Sequence, residues 1–230
     1  MRYTKEHKVK AKEAILRSAS RVLKRDGFNG IGVDGLAASA NVTSGGFYSN
    51  FATKEALLEE VISAELGAMF AGIAEADSSE RGQRLRELLA IYLSDDHCHG
   101  VADGCVMPSL SADVSRAGAH VRETYKRRMT ELVAILAPAM IGTPQEQQQR
   151  AWTAVATIVG AVTVARALPP GDAARAVLHA ALTAVTGMAR SDPTGAMPPT
   201  EPTSAFRTAA SRLPSSPSEP PLEPPTIEDV

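Results

Sequence analysis

Residues 27–58 read GFNGIGVDGLAASANVTSGGFYSNFATKEALL, and this stretch decides the fold. Gly27 follows a helical pattern and suits a left-handed C-terminal cap. Phe28 then serves as a buried anchor. A short helix fits Val33–Ala40, with Gly32 at its N-cap and Leu36, Ala37 and Ala40 on its inner face. Asn41 ends it, because asparagine tolerates the left-handed conformation of a tight turn. Thr43 caps a second short helix, Ser44–Phe51, by accepting a backbone N–H. Two short helices joined by a tight turn match the DNA-binding helix-turn-helix, whose second helix enters the major groove. An ordinary helical hairpin shows the same periodicity.

Working outward, Ile15, Ala19, Val22 and Leu23 recur at helical spacing, so a first helix packs one face inward. Residues 1–25 hold nine basic side chains (Arg2, Lys5, Lys8, Lys10, Lys12, Arg17, Arg21, Lys24, Arg25) against Glu6 and Glu13. The whole chain, with 24 basic and 26 acidic residues, does not announce a nucleic-acid binder. The local excess does suit phosphate, although a solvated helix face has the same composition. Residues 8–51 thus read as a three-helix unit.

The string Val42–Leu58, VTSGGFYSNFATKEALL, resembles the signature of the TetR/AcrR family of transcriptional regulators. That pattern is V-S-x-G-x-x-Y-x-H-F-x-s-K-e-x-L, with Val42, Thr43, Gly45, Tyr48, Phe51, Lys54, Glu55 and Leu57 on matching positions. The resemblance covers roughly residues 10–66. It implies an all-α fold with a ligand-responsive repressor's function: a homodimer binding a palindromic double-stranded DNA operator, released by a small-molecule effector. The DNA-contacting set it implies is Lys10, Val33, Thr43, Ser44, Gly45, Gly46, Phe47, Tyr48, Asn50 and Lys54. Tyr48, Asn50 and Lys54 would hold phosphates, and Ser44 would read a base. Asn50 stands where the family often has His. Gly46 stands where a side chain often reads a base, which leaves close backbone approach instead.

From Lys54 the chain reads as successive amphipathic helices, about nine in all. Leu57, Val61, Ile62, Leu66, Met69 and Phe70 form the stripe of a long fourth helix. Leu85 to Leu93 define a fifth, residues 95–104 a polar loop, and Val106–Val114 a sixth. A seventh carries Val121 to Leu136 and stops near Pro138, and Pro144 opens an eighth. Residues 151–165 carry no charge, yet Arg166, Pro169 and Pro170 end the run before the ~17–25 residues a membrane span needs. Such a helix is buried on several sides. Together with a ninth, about Asp172–Ala189, it would form the dimer interface that the resemblance implies. Ala156, Gly160, Ala181 and Ala184 would let backbones approach; internal packing of a monomer is the alternative. The chain divides as 1–52, DNA-binding; 53–190, effector-binding and dimerisation; and 191–230, a tail. The tail holds ten of the fifteen prolines, six serines and six acidic residues against two basic ones, and reads as disordered.

The effector pocket implied by the family lies within the body, with Leu89, Tyr92, Cys105, Met107, Leu110, Tyr125, Met129 and Trp152 as its expected walls. Each of these residues equally suits plain core packing. The segment HCHGVADGC (97–105) offers an alternative, a redox- or metal-sensing regulator acting through Cys98 and Cys105, with His97, His99 and Asp103 nearby. Its spacing fits no established zinc motif. No Ser-His-Asp order, phosphate loop or H-E-x-x-H is present, so no enzyme, catalytic residue, cofactor or resident metal is expected. Two cysteines make no disulfide framework, and no signal-type segment opens the chain, so the expected location is cytoplasmic.

Overall fold

The computed structural model describes the backbone of residues 5–190 and the side chains from residue 9 onward. Arg2, the side chains of Lys5 and Lys8, and the 191–230 tail lie outside the described residues. Among those described there is no strand, only one isolated bridge between Met140 and Ala189. Eleven α-helices and two short 3-10 turns account for the rest.

Helix α1 (Lys5–Asp26) ends where Gly27 takes φ +76°, the left-handed cap that the sequence suggested. Ile15, Ala19 and Leu23 are fully buried beneath it and Val22 nearly so. Helices α2 (Val33–Ser39) and α3 (Ser44–Tyr48) follow, joined by a turn in which Asn41 has φ +55°. α3 is shorter than the expected Ser44–Phe51. In a continuing helix the Gly46 carbonyl would take the Asn50 N–H. Instead it accepts the side chains of Asn50 and Ser49, a competition typical of Asn and Ser.

Helix α4 (Lys54–Glu65), capped by the Thr53 hydroxyl, is also shorter than expected. Gly67 at φ +82° breaks it, a conformation glycine adopts without strain. After the break, a 3-10 turn (Ala68–Phe70) and α5 (Ala71–Glu75) return Phe70 to the core, while Met69 turns outward, 37% exposed. α6 (Arg81–Tyr92) precedes a one-turn α7 (Asp95–His99). α7 lies in the segment expected to be loop. Its signal was local: the Ser94 hydroxyl accepts the His97 N–H, and Asp95 and Asp96 fill the first turn.

α8 (Val106–Arg116), α9 (Ala119–Leu136), α10 (Pro144–Ala167) and α11 (Asp172–Thr186) complete the body. Thr143 and Glu146 cap α10 reciprocally, with Pro144 at its first position. α10 buries Ala154, Val155, Ile158, Ala161 and Val162 against its neighbours, chiefly α11. No described helix is long and apolar enough to cross a membrane. The buried apolar residues of the first three helices and of the body form one continuous cluster.

A candidate DNA-binding face and a buried polar cluster

The helix-turn-helix is built from its turn outward. The Thr43 hydroxyl accepts the Gly46 N–H at 3.1 Å and fixes the start of α3. Ser44 donates its hydroxyl proton to the Asp34 carboxylate at 2.6 Å, tying α3 to the first turn of α2. Ser18 on α1 bonds the Ser39 carbonyl at 2.6 Å and holds α2 from the other side. Thr43, Gly45 and Tyr48 are exposed here, and Lys10 is exposed on α1. Tyr48 is 55% exposed, with its ring edge against Phe47 at 5.5 Å.

Four of the expected DNA contacts are not presented outward. Phe47 is fully buried and packs on Phe51 at 5.7 Å; it is core, as its apolar ring at the inner position of a short helix requires. Val33 is partly buried against the same core. Asn50 turns its amide inward, donating to the Gly46 carbonyl at 2.8 Å, while its other amide atom is buried without a partner. Lys54 points back into the protein. Its Nζ donates to the Phe28 carbonyl and, at 2.6 Å, to that of Ile31, and lies 4.3 Å from the Phe28 ring centre. Burial lowers its pKa, and Asp113 partly offsets that. Lys54 therefore closes the 28–31 loop.

The basic first helix is also partly committed. Lys12 pairs with Glu60 at 2.7 Å, Arg21 with Asp103, and Arg25 with the adjacent Asp26. Lys24, only 7% exposed, bonds Glu65 at 2.9 Å and the Gly104 carbonyl at 3.0 Å. Asp113 of α8 accepts the Phe28 N–H at 3.1 Å. Glu55 of α4 accepts the Gly118 N–H at 3.2 Å, and Glu59 accepts the Thr124 hydroxyl at 2.7 Å. Through these bonds α1 and α4 are held to the α7–α8 loop and to α8 and α9. Sequence reading missed Lys24, Asp103 and Asp113 as coupling residues, since nothing local distinguishes a paired surface charge from a solvated one.

The expected effector walls separate into two groups. Leu89, Tyr92, Cys105, Met107 and Leu110 are buried, and Tyr125 and Met129 partly so. Trp152 is 43% exposed on the outer side of α10, away from the core, and is not a wall. Beside these apolar residues, several polar groups lie around Cys105. Its Sγ caps α8 by accepting the Met107 N–H, and burial pushes its thiol upward more than that bond and the nearby Lys24 and Arg166 lower it. The Tyr92 hydroxyl is fully buried without a normally placed partner; burial and Cys105 hold it well above the usual phenol range. Tyr125 and Ser111 share a bond at 2.7 Å.

Arg166 anchors this cluster. Its guanidinium donates to the carbonyls of Cys98 at 2.8 Å and His97 at 3.3 Å and to the Ser109 hydroxyl at 3.0 Å. Sequence reading took it only as the end of an apolar run. A charge closing fifteen uncharged residues was the available signal.

His97 bridges the Tyr92 carbonyl through Nδ1 at 2.6 Å and the Cys105 N–H through Nε2 at 3.1 Å. The pairing assigns a neutral ring with the proton on Nδ1, and no nitrogen is left for a metal. No group of three or more His, Cys, Asp or Glu among the described residues is placed to hold a metal ion. Both cysteines are free and buried. Burial, before any other cause, lowers the His97 pKa from its ordinary 6.5. A depressed histidine favours the fold when neutral, so its contribution is complete above about pH 6.5 and lost as pH falls toward the folded pKa. The melting temperature should drop on acidification from pH 7 to 5, and His97→Gln should flatten part of that drop. An equally steep profile in the variant would exclude His97 as its source.

The fold and this face are those of a helix-turn-helix unit carried on an all-helical body. Residues 15–61 match the family model of bacterial regulatory proteins, tetR family, so the helix-turn-helix segment of this chain is of the TetR type. Among curated proteins it is similar to the Escherichia coli HTH-type transcriptional repressor NemR. The two are 27% identical over 132 residues, covering 56% of this chain and 66% of NemR, just short of two thirds of that protein. The reduced-form crystal structure of E. coli NemR superposes with a TM-score of 0.64 at 22% identity, over 80% of this chain and 99% of that one. A TetR-family regulator from Agrobacterium tumefaciens gives 0.63 at 20%, over 80% and 100%. FadR from Bacillus subtilis, crystallised with stearoyl-CoA, gives 0.57 at 17%, over 76% and 97%.

Proposed function

We propose that this protein is an effector-released repressor that binds a palindromic operator as a homodimer. Residues 1–52 form the DNA-binding unit, residues 53–190 the effector and dimer body, and residues 191–230 are a Pro/Ser-rich, acidic segment outside the described residues. The observation that carries the reading is the capped turn and α3 with Thr43, Gly45 and Tyr48 exposed on one short segment. Repression is the stated role of NemR.

Two uncharged stripes support the homodimer. On α10, Trp152, Ala156, Gly160 and Val164 are exposed at four-residue spacing; on α11, Ala173, Ala176, Ala180 and Ala184 are exposed. Ala181 turns inward instead, toward α10. Small side chains in such stripes let two helix pairs approach closely, and a two-fold dimer matches two half-sites about 34–36 Å apart. Arginine in place of Ala156 should leave a folded monomer with weak operator binding, as read by sedimentation and anisotropy.

The effector would enter beside Tyr92, Cys105, Met107, Leu110 and Tyr125. It acts by binding more tightly to the body conformation that misaligns the two recognition units than to the DNA-bound one. The bonds of Arg21 to Asp103 and Lys24 to Gly104, from α1, and of the Phe28 N–H just after α1 to Asp113 give that coupling a physical route. The test is fluorescence anisotropy on duplexes tiled across the DNA upstream of the gene, at several salt concentrations, against a shuffled control. Tight binding to one palindromic tile with a steep salt slope is expected. Equal, weak binding to all duplexes, including operators selected from random DNA, would refute the reading.

A second reading, Cys105 as a thiol sensor, rests on its place at the α8 N-cap, where its Sγ accepts the Met107 N–H; the burial that raises this thiol weighs against it. It predicts that Cys105→Ser keeps DNA binding and abolishes release by oxidant. Release that persists in the variant would eliminate it.

A further inference from the structure

We infer that Asp34 sets what Ser44 can read on DNA. The inference rests on the operator-binding reading above. It begins from the Ser44–Asp34 hydrogen bond of 2.6 Å between the first residue of α3 and an exposed residue of α2. A serine hydroxyl has one proton and two lone pairs; a carboxylate only accepts. The geometry therefore commits the Ser44 proton to Asp34. What remains to face a base edge is acceptor character alone.

On its C-terminal side Ser44 is followed by Gly45 and Gly46, which carry no side chains to compete with it. In the major groove, cytosine N4 and adenine N6 are donors, whereas guanine O6 and N7 and thymine O4 are acceptors. A free serine satisfies either kind by rotating its hydroxyl. Held by Asp34, it pairs with adenine or cytosine and leaves guanine or thymine facing an oxygen lone pair. Asp34 also brings a negative charge near phosphates, which lowers affinity for every sequence. That exchange of general affinity for discrimination is a known route to specificity. Asp34 is thus a positioning residue acting through Ser44.

The experiment measures anisotropy of the full chain on an operator selected from random DNA, with each base pair then varied singly. Wild type is compared with Ser44→Ala, Asp34→Ala and the double variant. In wild type, one position per half-site should favour adenine or cytosine over guanine or thymine by roughly tenfold, the scale of one good base contact. Ser44→Ala should erase that preference. Asp34→Ala should reduce it to about twofold or less while raising affinity for all duplexes. In the Ser44→Ala background, removing Asp34 should change general affinity only. If Asp34→Ala lowers the melting temperature, Ser44→Ala still decides the base identity.

A Ser44-dependent position that favours guanine or thymine overturns the inference, as does a preference that survives Asp34→Ala. A preference lost in Asp34→Ala but kept in Ser44→Ala would make Asp34 the reader and also overturn it. In all three cases specific binding persists and the regulator reading stands. A wild-type protein with no preferred base anywhere overturns both.

Discussion

Phe47→Ala should destabilise the protein by about 3–5 kcal/mol, the usual cost of emptying a fully buried aromatic site. Phe47 has no exposed surface, lies between Tyr48 and Phe51, and is the one fully buried residue of α3. A five-residue helix cannot sustain itself by its own hydrogen bonds, so its position depends on that anchor. For a chain of this length the loss corresponds to roughly 10 °C in melting temperature. DNA binding should disappear with it. A variant that melts like wild type but binds DNA weakly would restore Phe47 as a surface contact.

Gly45→Ala should do the opposite, raising stability while weakening operator binding at least tenfold. A Cβ built on Gly45 meets nothing closer than the Thr43 Oγ1 at 3.9 Å, ordinary contact. Its backbone is not left-handed. The protein itself therefore gives no reason for glycine here, and alanine in a helix is better by up to about 1 kcal/mol. A requirement for glycine must come from outside, from DNA approaching the bare backbone. At Gly46 the same Cβ would press the Thr43 hydroxyl at 3.4 Å, so Gly45 is the cleaner probe. Thermal melting and anisotropy on one preparation separate the two effects. Unchanged affinity would show that the DNA passes elsewhere.

The two variants differ because buried and exposed positions in one short motif follow different constraints. The sequence signature runs through both without distinction. It marks Gly45, where the protein leaves room for a Cβ, and Phe51, which is buried, with the same regularity. The resemblance sets Phe47 beside Tyr48 among the expected DNA contacts; on a helix, adjacent residues face about 100° apart, and only packing decides which one is buried.

By itself the sequence determined the all-helical fold, the Gly27 and Asn41 turns, the Thr43 cap, Pro144 at the start of its helix, the inner face of α1 and the TetR-type segment. These are local: a left-handed turn, a hydroxyl cap and a 3.6-residue period each lie within a few positions of chain. The tertiary structure decided which charges work inward. Lys54 looks like a phosphate contact until the Phe28 and Ile31 carbonyls arrive from 26 and 23 residues away. Lys24 and Arg21 belong to a basic helix face until Gly104 and Asp103 meet them. Arg166 ends an apolar run in sequence and anchors a polar cluster in space. A long cation's role is set by the acceptors within reach of its tip, and those are brought there by chain that is distant in sequence.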